Sequence, residues 1–357
     1  MATLLISCGE ASGEIYAAEV AEQVRRRRPD LRLVGVGGAV LARHLDEQWA
    51  DLDELSVMGF AEVVRHLPRL HRLRERLAAR ARREGVDLLL AVDYPGFHVS
   101  LAGAMKQRGI PTLHYIPPKT WSWGAWRNRG LRAKVRRCAV IFPFEEAYYR
   151  QRGIPARFVG HPLMDRHAEA LARPPGAREG LLLVPGSRAQ EIQRIGPVMA
   201  RAAARLRAEG RVGPVRVSRA PTVAEALLAP LRAELPDLQV VEGPLMDHLL
   251  QAAAAMVCSG TATVETALSR TPHAICYRTS PLTYLVARRL ATVPAIGMAN
   301  IVLGRKAFPE LVQKDLGTRA LAAAVAPLLL SDSPEVAAQR RAFDEVAEKL
   351  GLSLIHI

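Results

Sequence analysis

Short apolar runs alternate with longer amphipathic stretches along the first half of the chain. The apolar runs span residues 3–8, 31–36, 86–92, 112–116 and 139–142. Most of them end at a turn of glycine, proline or acidic residues, after which apolar residues recur with helical spacing. Strands that alternate with helices in this way predict an α/β layer built on a parallel sheet.

A second series of the same kind begins near residue 180. Its apolar runs span residues 181–184, 215–217, 238–241, 255–258 and 273–277, and a charged stretch with prolines, 164–179, precedes it. We therefore expect two Rossmann-like domains, residues 1–165 and 180–330, that face a central cleft at the carboxyl ends of their strands. Residues 331–357 are expected to form a C-terminal helix and tail that can pack back on the first domain.

Composition adds the suggestion of an anionic partner. The 357 residues include 49 Lys and Arg against 35 Asp and Glu, a net charge of +14. Because aromatic residues make up only 5% and no RNA- or DNA-binding module is recognisable, nucleic acid is not the expected anion. The four cysteines lack a C-x-x-C pair and the ten histidines show no metal-binding spacing, so we predict neither a disulfide framework nor a metal site.

Localisation is predicted from the amino-terminal segment and from the apolar runs. Residues 1–6 lack the basic start and long apolar core of a signal peptide, and no run approaches the ~20 apolar residues of a membrane-spanning helix. We therefore predict a cytoplasmic protein.

One leucine stripe with helical spacing lies among arginines: Leu67, Leu70, Leu73 and Leu77. This stripe is either a core face or, with Met58 and Phe60, a basic amphipathic surface that meets anionic lipid.

Two turns in the first half could carry chemistry. Gly9-Glu10-Ala11-Ser12-Gly13 precedes a predicted helix, and its small residues would expose backbone N–H groups to an anion. It matches neither the dinucleotide fingerprint nor the P-loop, so a simple tight turn is the alternative. Asp93 ends the apolar run 86–92, where a partly desolvated carboxylate could deprotonate a hydroxyl. The alternative for Asp93 is a turn or helix-capping residue.

Two turns in the second half could bind a diphosphate. Ser187 and Arg188 follow the run 181–184, and a guanidinium group suits forked contacts with phosphate. In Ser259-Gly260-Thr261-Ala262-Thr263, backbone N–H groups and hydroxyls at a helix start could hold a pyrophosphate, and Glu265 could accept hydrogen bonds from a ribose. A solvated loop arginine and a threonine-rich helix cap are the alternative interpretations.

One histidine and one aromatic loop complete the candidates. His161, in Gly160-His161-Pro162, is either a site residue or a hydrogen-bonded structural histidine. Trp121, Trp123 and Trp126 lie in one short stretch with Arg127 and Arg129. Contact with an acceptor or a membrane is one interpretation of this stretch, and packing at a domain edge is the other.

In their order along the chain, these segments resemble the motifs of the lipid-A-disaccharide synthase family of GT-B glycosyltransferases. The resemblance runs from about residue 4 to residue 315 and is carried by Gly9 to Gly13, Met58-Gly59, Asp93-Tyr94-Pro95-Gly96-Phe97, Trp121-Ser122-Trp123, Pro143-Phe144-Glu145, Gly160-His161-Pro162, Pro185-Gly186-Ser187-Arg188, Ser259 to Glu265, and Asn300 with Pro309-Glu310-Leu311. Glu14 stands where the family commonly has Asp, and Pro117-Pro118-Lys119 stands where a Ser-Pro pair is more usual.

The resemblance implies an inverting hexosyltransferase that joins UDP-diacylglucosamine to diacylglucosamine 1-phosphate, giving UDP and the β-1,6-linked lipid A disaccharide without a metal or other cofactor. It implies that Ser12, Asp93, Arg188 and Asn300 are tied to activity, with Asp93 as the general base. Acceptor or membrane contacts are expected from Gly9, Glu10, Ser12, Met58, Phe60, Trp121, Trp123 and His161. The protein is expected at the inner face of the cytoplasmic membrane, as a monomer or homodimer.

Two other classes of function stay open at this point. One is another GT-B enzyme that acts on a UDP-sugar, such as a UDP-N-acetylglucosamine 2-epimerase or a lipid-linked transferase. The other is a relative that binds a UDP-sugar without catalysis. Segments 58–67 and 121–126 resemble the synthase, and the presence of Asp93 and Arg188 favours an enzyme.

Overall fold

A computed structural model describes residues 1–55, 60–173, 176–290 and 293–351, with only the backbone described for residues 60–66, 282, 286, 287 and 290. Its contacts divide the described chain into two compact units, residues 1–162 and residues 163–351. The prediction placed this boundary at residue 165, with a linker up to residue 179. Residues 163–173 instead belong to the second unit, where His167 lies 3.1 Å from the Glu265 carboxylate.

The first unit is a seven-stranded parallel sheet in the order β3-β2-β1-β4-β5-β6-β7. Its strands are β1 (Thr3–Cys8), β2 (Arg32–Val36), β3 (Glu47–Ala50), β4 (Leu88–Val92), β5 (Thr112–Tyr115), β6 (Arg137–Val140) and β7 (Ala156–Phe158). Its helices are α1 (Ala11–Arg27), α2 (Ala39–Ala42), α3 (Phe60–Arg83), α4 (Pro95–Gln107), α5 (Asn128–Lys134) and α6 (Pro143–Arg150). Strand β1 is buried along its whole length, as expected for a central parallel strand covered by helices on both faces.

The second unit repeats this topology in a six-stranded parallel sheet of order β10-β9-β8-β11-β12-β13. Its strands are β8 (Leu181–Val184), β9 (Val215–Ser218), β10 (Gln239–Val241), β11 (Ala254–Cys258), β12 (His273–Tyr277) and β13 (Glu310–Val312). The remaining helices are α7 (Pro162–Arg166), α8 (Ala168–Ala172), α9 (Ala189–Ala208), α10 (Ala229–Glu234), α11 (Leu245–Gln251), α12 (Thr261–Leu268), α13 (Pro281–Leu290), α14 (Met298–Leu303), α15 (Thr318–Val325) and α16 (Pro334–Leu350).

Both sheets confirm the predicted α/β class with parallel strands. In each, the chain reverses its direction of growth between two central strands, β1 and β4 in the first sheet and β8 and β11 in the second. Cys8 is in register with Val92, and Val184 with Val257, so the turns that follow these strands are neighbours. Ligands of open α/β sheets bind at such switch points, beyond the carboxyl ends of the strands.

The C-terminal segment belongs to the second unit as far as residue 351. Helix α16 packs on α12 and α14, and Phe343 stacks on Phe308. The Gln339 side chain accepts a hydrogen bond from the backbone N–H of His273 and donates one to its carbonyl oxygen. These bonds attach α16 to the start of β12. Residues 352–357 lie outside the described part of the chain.

The leucine stripe of α3 is largely a core face. Leu73 and Leu77 are buried against the sheet, whereas Leu67 is 53% exposed. Met58 and the Phe60 side chain, proposed as lipid contacts, lie outside what the structure describes. Within the described residues no single helix meets the length and hydropathy of a membrane span, and only a pair bent by 80°, Thr318–Leu329 with Pro334–Leu350, meets them jointly.

Candidate active site

The turn after β1 is packed directly against the turn after β4. A Cβ atom at Gly9 would lie 2.2 Å from Cδ1 of Tyr94, so only glycine fits there. Gly13 lies beside Asp93, and a Cβ atom at Gly13 would be 3.5 Å from the Asp93 Cβ. Glu10 and Ser12 are exposed at the start of α1. The structure therefore brings Gly9, Ser12 and Asp93 to one edge of the first sheet.

Glu14 has a structural role in this region. Its buried carboxylate accepts hydrogen bonds from the backbone N–H groups of Val40 and Leu41, at 2.8 and 3.1 Å, and so caps the start of α2. A Cβ atom at Gly38 would come within 2.9 Å of the same carboxylate. Glu14 thus joins the turn after β1 to the turn after β2, and its negative charge compensates the free N–H groups of a helix end.

Asp93 is half-buried, and its backbone is in a conformation that is rare outside glycine. Asp93 has φ +50° and Tyr94 φ +43°, and the N–H group of Asp93 donates to the carbonyl oxygen of Tyr115 at 2.9 Å. Burial raises the pKa of the Asp93 carboxyl, and the positive charge of Lys119 opposes that shift. A partly desolvated carboxylate that remains next to a cation is chemically suited to accept a proton.

Backbone strain is concentrated at this edge of the sheet. Among the described residues, five non-glycine residues have positive φ, and three of them, Asp93, Tyr94 and Ile116, directly follow β4 and β5. Each such conformation costs about 1–3 kcal/mol, more for a β-branched residue, and persists only where surrounding contacts impose it. The Tyr94 hydroxyl supplies one of these contacts, since it donates to the carbonyl oxygen of Leu55 at 2.9 Å. Strain of this kind is typical of functional sites.

Trp121 is part of the domain interior, which corrects its assignment to an acceptor or membrane surface. Its indole N–H donates to Glu145 Oε1 at 2.7 Å, and its ring meets the Phe144 ring edge-on. Glu145 Oε2 accepts from the backbone N–H of Phe142 at 3.2 Å, and burial raises the pKa of Glu145 to about 7. The indole has its hydrogen-bond partner inside the fold, so Trp121 supports the loop without facing solvent.

Trp123 and Trp126 remain at the surface, 49% and 62% exposed. Their rings meet edge-on at 6.0 Å, and the Arg127 guanidinium lies 4.5 Å from the centre of the Trp123 ring. His161 is buried, and its ring lies 5.2 Å from that of Phe142. The structure therefore divides the predicted aromatic and histidine contacts into two exposed indoles and two buried rings.

In the second unit, Arg188 follows β8 on an exposed turn. Its guanidinium lies 2.9 Å from Glu191 Oε1, and its side chain is 77% exposed. Glu191 Oε2 accepts from the backbone N–H of Arg188, and a Cβ atom at Gly186, where φ is +111°, would clash with that carboxylate. Glu191 therefore shapes the turn, while Ser187 and Arg188 present their side chains to solvent.

In the neighbouring turn, after β11, only some of the residues predicted to bind a diphosphate are exposed to solvent. Ser259 donates from its hydroxyl to the Ile296 carbonyl oxygen at 3.0 Å, and space above Gly260 is open. Thr261 is exposed and Ala262 half-buried. Thr263 is fully buried, and its hydroxyl donates to the Gly260 carbonyl oxygen at 2.8 Å.

Asn300, predicted to be tied to activity, is held inside the fold by its own hydrogen bonds. Its Oδ1 accepts from the backbone N–H groups of Ala307 and Phe308, both at 2.9 Å. Its Nδ2 donates to the Phe308 carbonyl oxygen and to Glu310 Oε1, also at 2.9 Å. Because the side chain is fully buried and both donors and both acceptor positions are used, it has no capacity left for a substrate.

Two polar residues that hold these turns were not proposed as site residues from the sequence. Glu310, fixed by Asn300, accepts from the N–H groups of Ile296 and Gly297 and so shapes the segment that Ser259 contacts. His98, buried below Asp93, is the other, and its only signal was a polar residue on the apolar face of α4. Among the described residues, no three His, Cys, Asp or Glu side chains group closely enough to hold a metal ion.

Comparison with known proteins shows the family to which this chain is similar. Residues 4–354 match the family model described as lipid-A-disaccharide synthetase. A lipid-A-disaccharide synthase from Syntrophus aciditrophicus is 37% identical over 98% of this chain and 94% of its own length.

Solved structures share the fold at low sequence identity. The S. aureus protein MnaA in complex with UDP is 12% identical, with TM-score 0.63, over 99% of this chain and 93% of its own. A UGT transferase from Siraitia grosvenorii in complex with UDP is also 12% identical, with TM-score 0.55, over 97% and 100%. These likenesses confirm the GT-B type of fold, and the family match does not favour an epimerase or a lipid-linked transferase. The chain belongs to the lipid-A-disaccharide synthase family of glycosyltransferases.

Proposed function

We propose that this chain transfers diacylglucosamine from its UDP derivative to diacylglucosamine 1-phosphate, with inversion at the anomeric carbon and without a metal cofactor. The proposal is carried by one observation above the others. A carboxylate, Asp93, stands at the switch point of the first sheet in an imposed left-handed conformation, half-buried and beside the start of α1. The family name of its relatives gives the substrate class.

In the proposed reaction, Asp93 accepts the proton of the acceptor's 6-hydroxyl. That oxygen forms a bond to the anomeric carbon of the donor from the face opposite UDP, and the bond from this carbon to the diphosphate oxygen breaks. The electron pair leaves with UDP, and the proton stays on Asp93 until solvent removes it. The raised pKa of Asp93 supports its role, because a more basic carboxylate is the better proton acceptor.

The second unit is proposed to hold the donor. Arg188 is proposed to turn towards the diphosphate, because its side chain is exposed and its pairing with Glu191 is on the surface, where such pairs contribute little. Ser187, Ser259, Gly260, Thr261 and Ala262 border the same switch point, and Glu265 is the proposed partner of the ribose hydroxyls. A guanidinium and helix N–H groups would stabilise the negative charge that grows on the leaving diphosphate.

We also propose that the protein works at the inner face of the cytoplasmic membrane, because both sugar substrates carry acyl chains. The exposed pair Trp123 and Trp126, with Arg127 close to the first ring, supports such a contact. Indoles favour the boundary between lipid head groups and acyl chains, and arginine is attracted to anionic lipid.

Replacing Arg188 by alanine is expected to raise the KM for the donor by roughly 10- to 100-fold, the effect of losing one or two charge-assisted hydrogen bonds. Steady-state kinetics with varied donor at saturating acceptor measure this effect. Arg205→Ala is the matched control, since Arg205 lies on α9, the helix that begins directly after Arg188, and pairs with Glu209 at the surface, so it should leave KM unchanged. An unchanged donor KM in Arg188→Ala would remove Arg188 from the donor site.

A further inference from the structure

His98 forms hydrogen bonds to both strands of the switch point in the first sheet, to Ser7 on β1 and to Asp93 directly after β4. It lies on α4, is fully buried, and uses both nitrogens of its ring. Nδ1 is 2.7 Å from the backbone carbonyl oxygen of Asp93, and Nε2 is 2.9 Å from the hydroxyl of Ser7 on β1. The His98 side chain therefore contacts both Ser7, near the end of β1, and the backbone of Asp93, the proposed base.

The partners determine which nitrogen carries the proton. A carbonyl oxygen can only accept, so Nδ1 must donate to Asp93, and Nε2 then accepts from the Ser7 hydroxyl. Burial lowers the pKa of His98 to about 4, so the ring is neutral near pH 7. The ring of His114 lies edge-on at 6.0 Å, and burial lowers its pKa to about 3. The surroundings of His98 thus impose one neutral tautomer.

The bond to Asp93 acts where the backbone is strained. Asp93 and Tyr94 both have positive φ, and the peptide between them would relax by rotating its carbonyl oxygen away. The His98 ring holds that oxygen, while Tyr115 holds the N–H group of Asp93. Because the N–H group and the carbonyl oxygen of Asp93 are both hydrogen-bonded, its carboxylate can move only by rotation about the side-chain bonds.

We propose that His98 is a positioning residue, which through its Nδ1–H group fixes the backbone of Asp93 so that the carboxylate meets the acceptor hydroxyl. This inference rests on the proposed role of Asp93 as the base. His98 does not touch substrate, so its removal changes the orientation of the base and leaves substrate binding intact. A misplacement of about 1 Å is enough to lower a rate roughly 100-fold.

Three substitutions separate positioning from packing. The amide nitrogen of asparagine reaches the position of Nδ1, whereas that of glutamine reaches the position of Nε2. We expect His98→Gln and His98→Leu to lower kcat by roughly 10- to 100-fold, with KM for both substrates within about twofold of wild type. His98→Asn is expected to restore kcat to within about fivefold. His114→Leu is the control in the same core, and it should keep kcat because the His114 ring nitrogens have no hydrogen-bond partner within the described residues.

The outcomes distinguish this inference from the proposed function. If His98→Asn and His98→Gln lose kcat equally, or if neither loses it, the positioning role is overturned. Asp93→Asn in the same assay tests the premise, since retained turnover there would overturn the base itself. Nitrogen-15 NMR of the wild-type protein gives a test that needs no variant. The account predicts a protonated Nδ1 and an unprotonated Nε2 for His98, and the opposite tautomer would contradict it.

Discussion

Replacing Asp93 by asparagine is expected to lower kcat about a thousandfold, while the affinity for UDP stays within about twofold of wild type. The carboxamide has nearly the same shape as the carboxylate and cannot accept the hydroxyl proton. UDP is proposed to bind residues of the second unit, and Asp93 is not among the residues proposed to contact it. Product formation with purified protein measures the first effect, and calorimetric titration with UDP measures the second.

Asp30→Asn is a suitable control for this substitution, because Asp30 is an exposed partner of Arg28 in the same unit and lies in no proposed site. It should leave both turnover and UDP binding unchanged. If Asp93→Asn retains more than a tenth of wild-type turnover, Asp93 is not the base.

The role of Asp93 also fixes the sign of the pH dependence. Only the ionised carboxylate accepts a proton, and burial raises its pKa above the ordinary value of an aspartate. The wild-type kcat/KM should therefore fall about tenfold for each pH unit below that pKa and level off above it. This acidic limb should be absent from any residual activity of Asp93→Asn.

Replacing Asn300 by alanine is expected to destabilise the second unit by about 4 kcal/mol. The substitution removes the side-chain partner of the N–H groups of half-buried Ala307 and buried Phe308 and one of the partners of the Glu310 carboxylate, and each such loss costs about 1–3 kcal/mol. Urea unfolding measures the change in free energy. Loss of activity should appear only where the protein also unfolds more readily.

Met298→Leu, on the same helix, is the control for Asn300, since a swap that conserves volume usually costs less than about 1.5 kcal/mol. An Asn300→Ala protein that is as stable as wild type but inactive would contradict the structural role. That result would return Asn300 to direct contact with substrate.

The sequence was sufficient for the parts of the fold that rest on continuous apolar runs. Strands such as β1, β4, β8 and β11 are buried on both faces and are recognisable without tertiary information. The three missed strands, β3, β7 and β13, are sheet edges of three or four residues, and Glu310-Leu311-Val312 carries no distinctive pattern. Such short edge strands are too short for a recognisable apolar pattern, and they form by pairing with the neighbouring strand of the sheet.

Gly9 and Asp93 were each expected at the carboxyl end of a strand, but their proximity was not predicted, because it depends on the pairing of β1 with β4. The role of Trp121 could not be predicted, since its partner Glu145 is 24 residues further along the chain. The hydrogen bonds of Asn300 could not be predicted for a similar reason. Its four hydrogen bonds are made with residues 307–310, and a polar residue among apolar neighbours has the same sequence signal whether it binds substrate or fills a core.

The central claim is that this chain forms the disaccharide by a metal-independent displacement. The most direct test incubates the purified protein with UDP-diacylglucosamine and diacylglucosamine 1-phosphate in detergent micelles that contain EDTA. The account predicts equal amounts of UDP and of a β-linked disaccharide 1-phosphate. Absence of the disaccharide, or release of UDP by hydrolysis or epimerisation without transfer, would contradict it.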